Sequence, residues 1–100
     1  MFIYNITNKV DLDIPGDWLQ WQKEVHIPEI MSTGCFIGYQ FYRLMEQDDT
    51  DGITYIIQYF SETEENYLRY IQDFAPALRD KAIKKWGDRF VAFRSLMKVV

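Results

Sequence analysis

The segments that read as strands in this chain are apolar on both of their faces, and no other feature limits its folding as much. Cys35 to Glu46 sets Ile37, Tyr39 and Phe41 on one side and Phe36, Tyr42 and Leu44 on the other. Ile53 to Phe60 sets Tyr55, Ile57 and Tyr59 against Ile56 and Phe60. Arg89 to Val99 sets Val91, Phe93, Met97 and Val99 against Phe90, Ala92 and Leu96. A sheet with one wet face alternates apolar and polar residues along each strand. These strands do not, so both faces of the sheet they form need cover.

The rest of the chain says how much cover it supplies. Phe2 to Val10 reads as a further strand, with Phe2, Tyr4, Ile6 and Val10 sharing a face. Asp51-Gly52, at the end of the acidic run from Gln47, is a hairpin signal between the second and third strands. Ile14, Trp18, Trp21 and Val25 repeat at helical spacing. Pro28 removes a helical donor and disfavours helical geometry at Ile27, so this helix is expected to end or kink near His26. A short helical turn from Pro28 to Ser32, closed by Gly34, follows. Ser61-Glu62-Thr63-Glu64 matches a capping box, opening a helix that runs to Trp86 with Tyr67, Ile71, Phe74, Leu78 and Ala82 on one stripe. Pro76 should kink it.

The order β-α-β-β-α-β predicts an α+β fold of the ferredoxin-like type, one domain over residues 1–100, with two helices on one face of a four-stranded antiparallel sheet. Two helices cover one face. The other would expose a patch larger than soluble monomers tolerate, and a symmetric pair is the commonest way to hide it. A homodimer is therefore expected.

Charge excludes other roles. Lys and Arg number 11 against 15 Asp and Glu, a net charge of −4. A nucleic-acid binder of this size carries a basic cluster; here Lys81, Lys84 and Lys85 simply sit at a helix C-terminus, where cations oppose the helix dipole. Cys35 is the single cysteine, so no internal disulfide forms, and it reads as a buried structural thiol. No signal peptide or membrane span is visible, which makes the cytoplasm the expected location. The acidic turn lacks the ligand spacing of a calcium loop, no Cys/His cluster has zinc spacing, and no glycine-rich phosphate loop exists; no metal and no cofactor is expected.

Five residues remain as candidates for chemistry. His26 is the single histidine and the one side chain whose ordinary pKa permits acid–base work near neutrality. Its alternative role is to bond the carbonyls freed by Pro28. Asn5, Gln58 and Arg94 are polar positions in apolar strands, each opposite the more apolar side of its strand. If those apolar sides meet the helices, all three point to the far face, where Tyr42 joins them. Polar groups converging among aromatics describe a small-molecule site, with Arg94 suited to a carboxylate, or equally a bonded network inside a dimer interface.

Tyr4-Asn5-Ile6-Thr7, Trp18-Leu19-Gln20-Trp21, His26-Ile27-Pro28-Glu29, Thr33-Gly34-Cys35-Phe36, Tyr55 with Gln58-Tyr59, Ala75-Pro76-Ala77-Leu78-Arg79 and Phe90-Val91-Ala92-Phe93-Arg94 carry a resemblance. The chain resembles a bacterial domain-of-unknown-function family related to the dimeric α+β barrel superfamily. The resemblance implies the fold and the pairing, and no activity. The wider superfamily includes cofactor-free monooxygenases of polyphenols and haem-degrading enzymes. The haem branch uses an Asn on the first strand, a Trp on the third and an axial His on the second helix; Asn5 fits, but the other two are missing here. Two readings stand: a dimer that binds a small aromatic molecule between its sheets without catalysis, or a cofactor-independent monooxygenase-like or isomerase-like enzyme on a phenolic substrate. In the second, His26 is the acid–base group and Asn5, Tyr42, Gln58 and Arg94 position the substrate. A third, a pure interaction module, needs no pocket.

Overall fold

The computed structural model describes residues 1–100. Four strands, β1 (Phe2–Val10), β2 (Gly38–Arg43), β3 (Ile53–Ser61) and β4 (Phe90–Lys98), form one sheet in the order β2-β3-β1-β4, antiparallel throughout. This is the ferredoxin-like arrangement, with β1 and β3 central. β2 is shorter than the expected Cys35–Glu46: Cys35 and Phe36 are buried ahead of it, under the helices rather than in the ladder. Directly before β3 Gly52 has φ +152, and a Cβ there would lie 2.6 Å from the Val10 carbonyl oxygen. No other residue type fits that approach.

The helical layer departs from the simple pattern at two prolines. Helix α1 (Pro15–Trp21) passes through a π-helical turn, Gln22–His26, into α2 (Ile27–Ser32). Pro28 therefore does not end the helix. A π turn holds about one extra residue, and the inward face shifts accordingly. Gln22 and Ile27 are buried, whereas Val25, expected on the apolar stripe, is turned to solvent. The second proline does interrupt its helix. α3 (Glu64–Asp73) and α4 (Ala75–Trp86) meet at Phe74, whose φ of −123 leaves the helical region. Two details differ from the expected start. The N-cap is Thr63, whose Oγ1 accepts from the Asn66 N–H at 3.1 Å, while Ser61 ends β3 and donates to the Thr63 carbonyl at 2.8 Å. Strand pairing with Phe2 holds Ser61 in the sheet, so the cap falls to the next hydroxyl.

The helices cover one face. Tyr4, Ile6 and Val10 of β1 and Tyr55, Ile57 and Tyr59 of β3 are buried beneath them. Two aromatic clusters fill the ends of this layer. Trp18, fully buried, stacks on Tyr55 at 5.5 Å and touches Phe41 and Phe90. Tyr4 packs with Phe36, Tyr59, Tyr67 and Tyr70 at ring separations of 5.4–6.4 Å. Between the clusters, along β1, lie Ile6 and Asn8.

The opposite face carries Ile3, Tyr42, Ile56, Phe60, Val91, Phe93 and Met97 with no helix over them. Here the structure corrects the reading of β4. The Val91/Phe93/Met97 side was expected under the helices. Register decides otherwise: Phe90 pairs with Val10 and Arg94 with Ile6, and directly paired residues share a face. The greasier side of β4 therefore points away from the helices, with Phe93 66% exposed, and Arg94 lies on the helix side.

Candidate functional site

Between the helical layer and the sheet lies a cavity of about 100 Å³. Its floor is Ile6, Asn8, Ile57 and Tyr59 from the two central strands; its roof is Gln22 and His26 of the π turn with Arg79 and Ala82 of α4. Ile83, Phe90 and Arg94 complete it. Ile83 and Arg94 are exposed and mark the mouth, between α4 and the edge strand β4.

The polar atoms lining this space are poorly satisfied. Gln22 Oε1, His26 Nδ1, Tyr59 Oη and Arg79 Nε are all buried and without a hydrogen-bond partner. Three other buried atoms lack partners, Trp18 Nε1, Asp49 Oδ1 and Trp86 Nε1, but none belongs to a residue lining the cavity. An unsatisfied buried polar group costs about 1–3 kcal/mol, so four around one void describe a space that water or a ligand completes. Arg79 is anchored as well as free: its Nη2 donates to the Tyr4 hydroxyl at 2.8 Å, leaving Nε aimed elsewhere.

His26 owes its place to the π turn. Its ring stacks on Trp21 at 4.6 Å and 19°, and Trp21 in turn meets Trp86 edge-on at 5.9 Å. Burial lowers its pKa to about 4; Glu29 opposes that shift, and Arg94 and Lys81 add to it. Imidazole is therefore neutral at pH 7. The expectation that His26 bonds carbonyls freed by Pro28 is not met, because the π turn keeps the backbone helical and Nδ1 has no partner. Burial likewise pushes the Tyr59 and Tyr70 hydroxyls far above their ordinary range; neighbouring tyrosines reinforce the shift at Tyr59, while at Tyr70 Tyr4 adds to it and Arg79 and Arg94 oppose it, and both hydroxyls stay neutral.

The residues singled out in the sequence fall on two sides of the sheet. His26 and Arg94 share the cavity. Asn5, Gln58 and Tyr42 lie on the uncovered face, where Gln58 Nε2 donates to Asn5 Oδ1 at 3.2 Å and Asn5 Nδ2 donates to Thr7 Oγ1 at 3.3 Å. The single site expected from parity does not assemble, because the face of β4 was inverted. Gln22, Asn8, Tyr59 and Arg79 were missed. Two of them left a signal: Asn8 shares the inward parity of Ile6 and Val10, and Gln22 falls one turn after Trp18. A polar residue in such a stripe marks something other than packing.

No curated protein matches the chain. Among solved structures it is similar to an ethyl tert-butyl ether d (ethd) family protein from Bacillus halodurans, with a TM-score of 0.73 at 11% identity over 100% of both chains. It is also similar to SnoaB, a cofactor-independent oxygenase from Streptomyces nogalater, with a TM-score of 0.69 at 9% identity, covering 98% of this chain and 92% of that one. A dimeric ferredoxin-like protein from an uncultured marine organism has a TM-score of 0.63 at 16% identity, over 99% and 94%. Identities this low establish the shared fold and nothing more. The match that reaches the sequence itself spans residues 1–100, and by it the chain belongs to the family described as domain of unknown function DUF4286.

Proposed function

We propose that this protein is a homodimer in which each chain holds a small molecule in the cavity between its helices and its sheet. The observation that carries the binding reading is the clustering of Gln22 Oε1, His26 Nδ1, Tyr59 Oη and Arg79 Nε, buried and unpartnered, around one space. The aromatic ligand first expected between the sheets moves to this cavity, since Asn5 and Gln58 bond each other and leave little to recognise a guest. Pairing rests on the apolar face of the sheet and on a structural relative described as dimeric. The volume suits a ligand no larger than a single ring.

Catalysis is the second reading, and the state of His26 favours it specifically. A neutral imidazole with a free ring nitrogen, stacked on Trp21 inside the cavity, is in the form that takes a proton from a phenolic substrate. One structural relative is a cofactor-independent oxygenase. A pKa near 4 makes His26 a weak base until a ligand raises it, so binding is ranked above turnover.

The test is a thermal-shift screen of small aromatic acids and phenols, followed by a crystal soaked with the best hit. Ligand density touching His26 and Tyr59 is expected. A cavity that holds only ordered water with every compound, and no shift in Tm, overturns the binding reading. His26→Ala then separates the roles: it abolishes binding while leaving the unfolding free energy within about 1 kcal/mol of the parent if the residue serves the ligand, and lowers stability without affecting binding if it serves the fold.

A further inference from the structure

We propose that the ligand of the helix–sheet cavity is a monocarboxylate with a compact apolar body, its charge held between Arg79 and Arg94. This rests on the binding reading above and names the class of molecule bound.

The charge of the lining is the reason. The chain as a whole is acidic, with 15 Asp and Glu against 11 Lys and Arg. The cavity inverts that balance: two arginines line it and no carboxylate does. Glu29, the carboxylate whose charge acts on His26, is occupied by Lys81 in an ion pair of 2.8 Å. Arg79 and Arg94 thus face the space with no protein anion between them, and His26, Gln22 and Tyr59 supply neutral polar atoms around it. Two cations beside a desolvated void favour an anion entering it.

The shape of the guest follows from the remaining wall. Ile6, Ile57, Ala82, Ile83 and Phe90 are apolar. An inorganic anion such as phosphate would leave that wall against strongly hydrated oxygens. A carboxylate with a short aliphatic or single-ring body matches both halves, since the planar guanidinium fork fits a carboxylate edge. The position of Arg94 at the mouth, with the free Nε of Arg79 further in, also gives the anion a charged path inward.

Calorimetry on the full chain at pH 7.5 tests this with matched pairs: isobutyrate against isobutyramide, benzoate against benzamide, and inorganic phosphate alone. An acid is expected to bind about ten- to a hundredfold more tightly than its amide, the difference that hydrogen bonds to a charged group supply. Arg94→Gln should remove that preference, and Arg94→Lys should restore part of it, with near-ultraviolet circular dichroism reporting that both variants keep the fold. Amides that bind as well as their acids, or phosphate that binds in their place, overturn the carboxylate class and leave the cavity as a binding site. Silence from every compound overturns both the class and the binding reading.

Discussion

The two faces of the sheet treat their polar residues in opposite ways. On the uncovered face, amid Ile56, Phe60 and Phe93, the amides Asn5 and Gln58 bond each other, and Asn5 reaches Thr7. Under the helices, in the drier layer, Gln22, His26, Tyr59 and Arg79 each keep a buried atom unpaired. Burial makes partners more valuable, so the expected order is the reverse. A satisfied polar cluster inside an apolar face is what one surface needs to be covered by another without penalty. An unsatisfied one around a cavity is what a site needs to recognise a guest. The contrast accords with the proposal that one face pairs and the other recognises a ligand.

The largest effect that would break this contrast is loss of pairing. Phe93→Lys puts a charge on the most exposed ring of the open face and is expected to halve the mass seen by light scattering, from twice the 12.0 kDa of the chain to that of one chain. Far-ultraviolet circular dichroism should be retained. A parent protein that already runs as a monomer at micromolar concentration removes pairing altogether. Trp18→Ala acts on the other side, emptying the centre of one aromatic cluster, and should cost about 3–5 kcal/mol in urea unfolding. A loss below 1 kcal/mol would mean that the covered face is not the core.

Titration sharpens the comparison next. The native pKa of His26 lies near 4, below its ordinary 6.5, so the unfolded chain takes up a proton first as pH falls. Stability from this residue is constant above pH 6.5 and declines between about 6.5 and 4 by up to roughly 3 kcal/mol. His26→Gln should flatten that part of the pH profile. An unchanged slope would place the residue in solvent rather than in the cavity. The smallest effects separate bonded from unbonded groups directly. Asn5→Ala removes two made hydrogen bonds, with Gln58 and with Thr7, and should cost about 1–2 kcal/mol, whereas Tyr59→Phe deletes a hydroxyl with no partner and should leave stability equal or slightly raised. A larger loss for Tyr59→Phe than for Asn5→Ala would mean that ordered water already satisfies the cavity.

The site was less legible than the fold because it depends on which way single residues face. His26 could be named as a candidate from its chemistry, but not its position: a helix ending at Pro28 would carry it into a loop, and the π turn carries it inward instead. Arg94 was assigned to the wrong side because apolar content was used to orient β4. Arg79 follows Leu78 on a helix surface and nothing local marks it as a wall of a cavity.

What the chain's own order of residues determined is the set of elements, their sequence β-α-β-β-α-β and the double-sided apolar character of the sheet. Those depend on local preference and on periodicity, which neighbouring residues express by themselves. What tertiary structure alone decided is the side on which β4 presents Arg94, the extra residue in the helix at Gln22–His26, and the cavity that the two together enclose. Each of these is a choice of register. A shift by one position reverses a strand's faces or rotates a helix's stripe, and only pairing with β1 and packing against the sheet select among the alternatives.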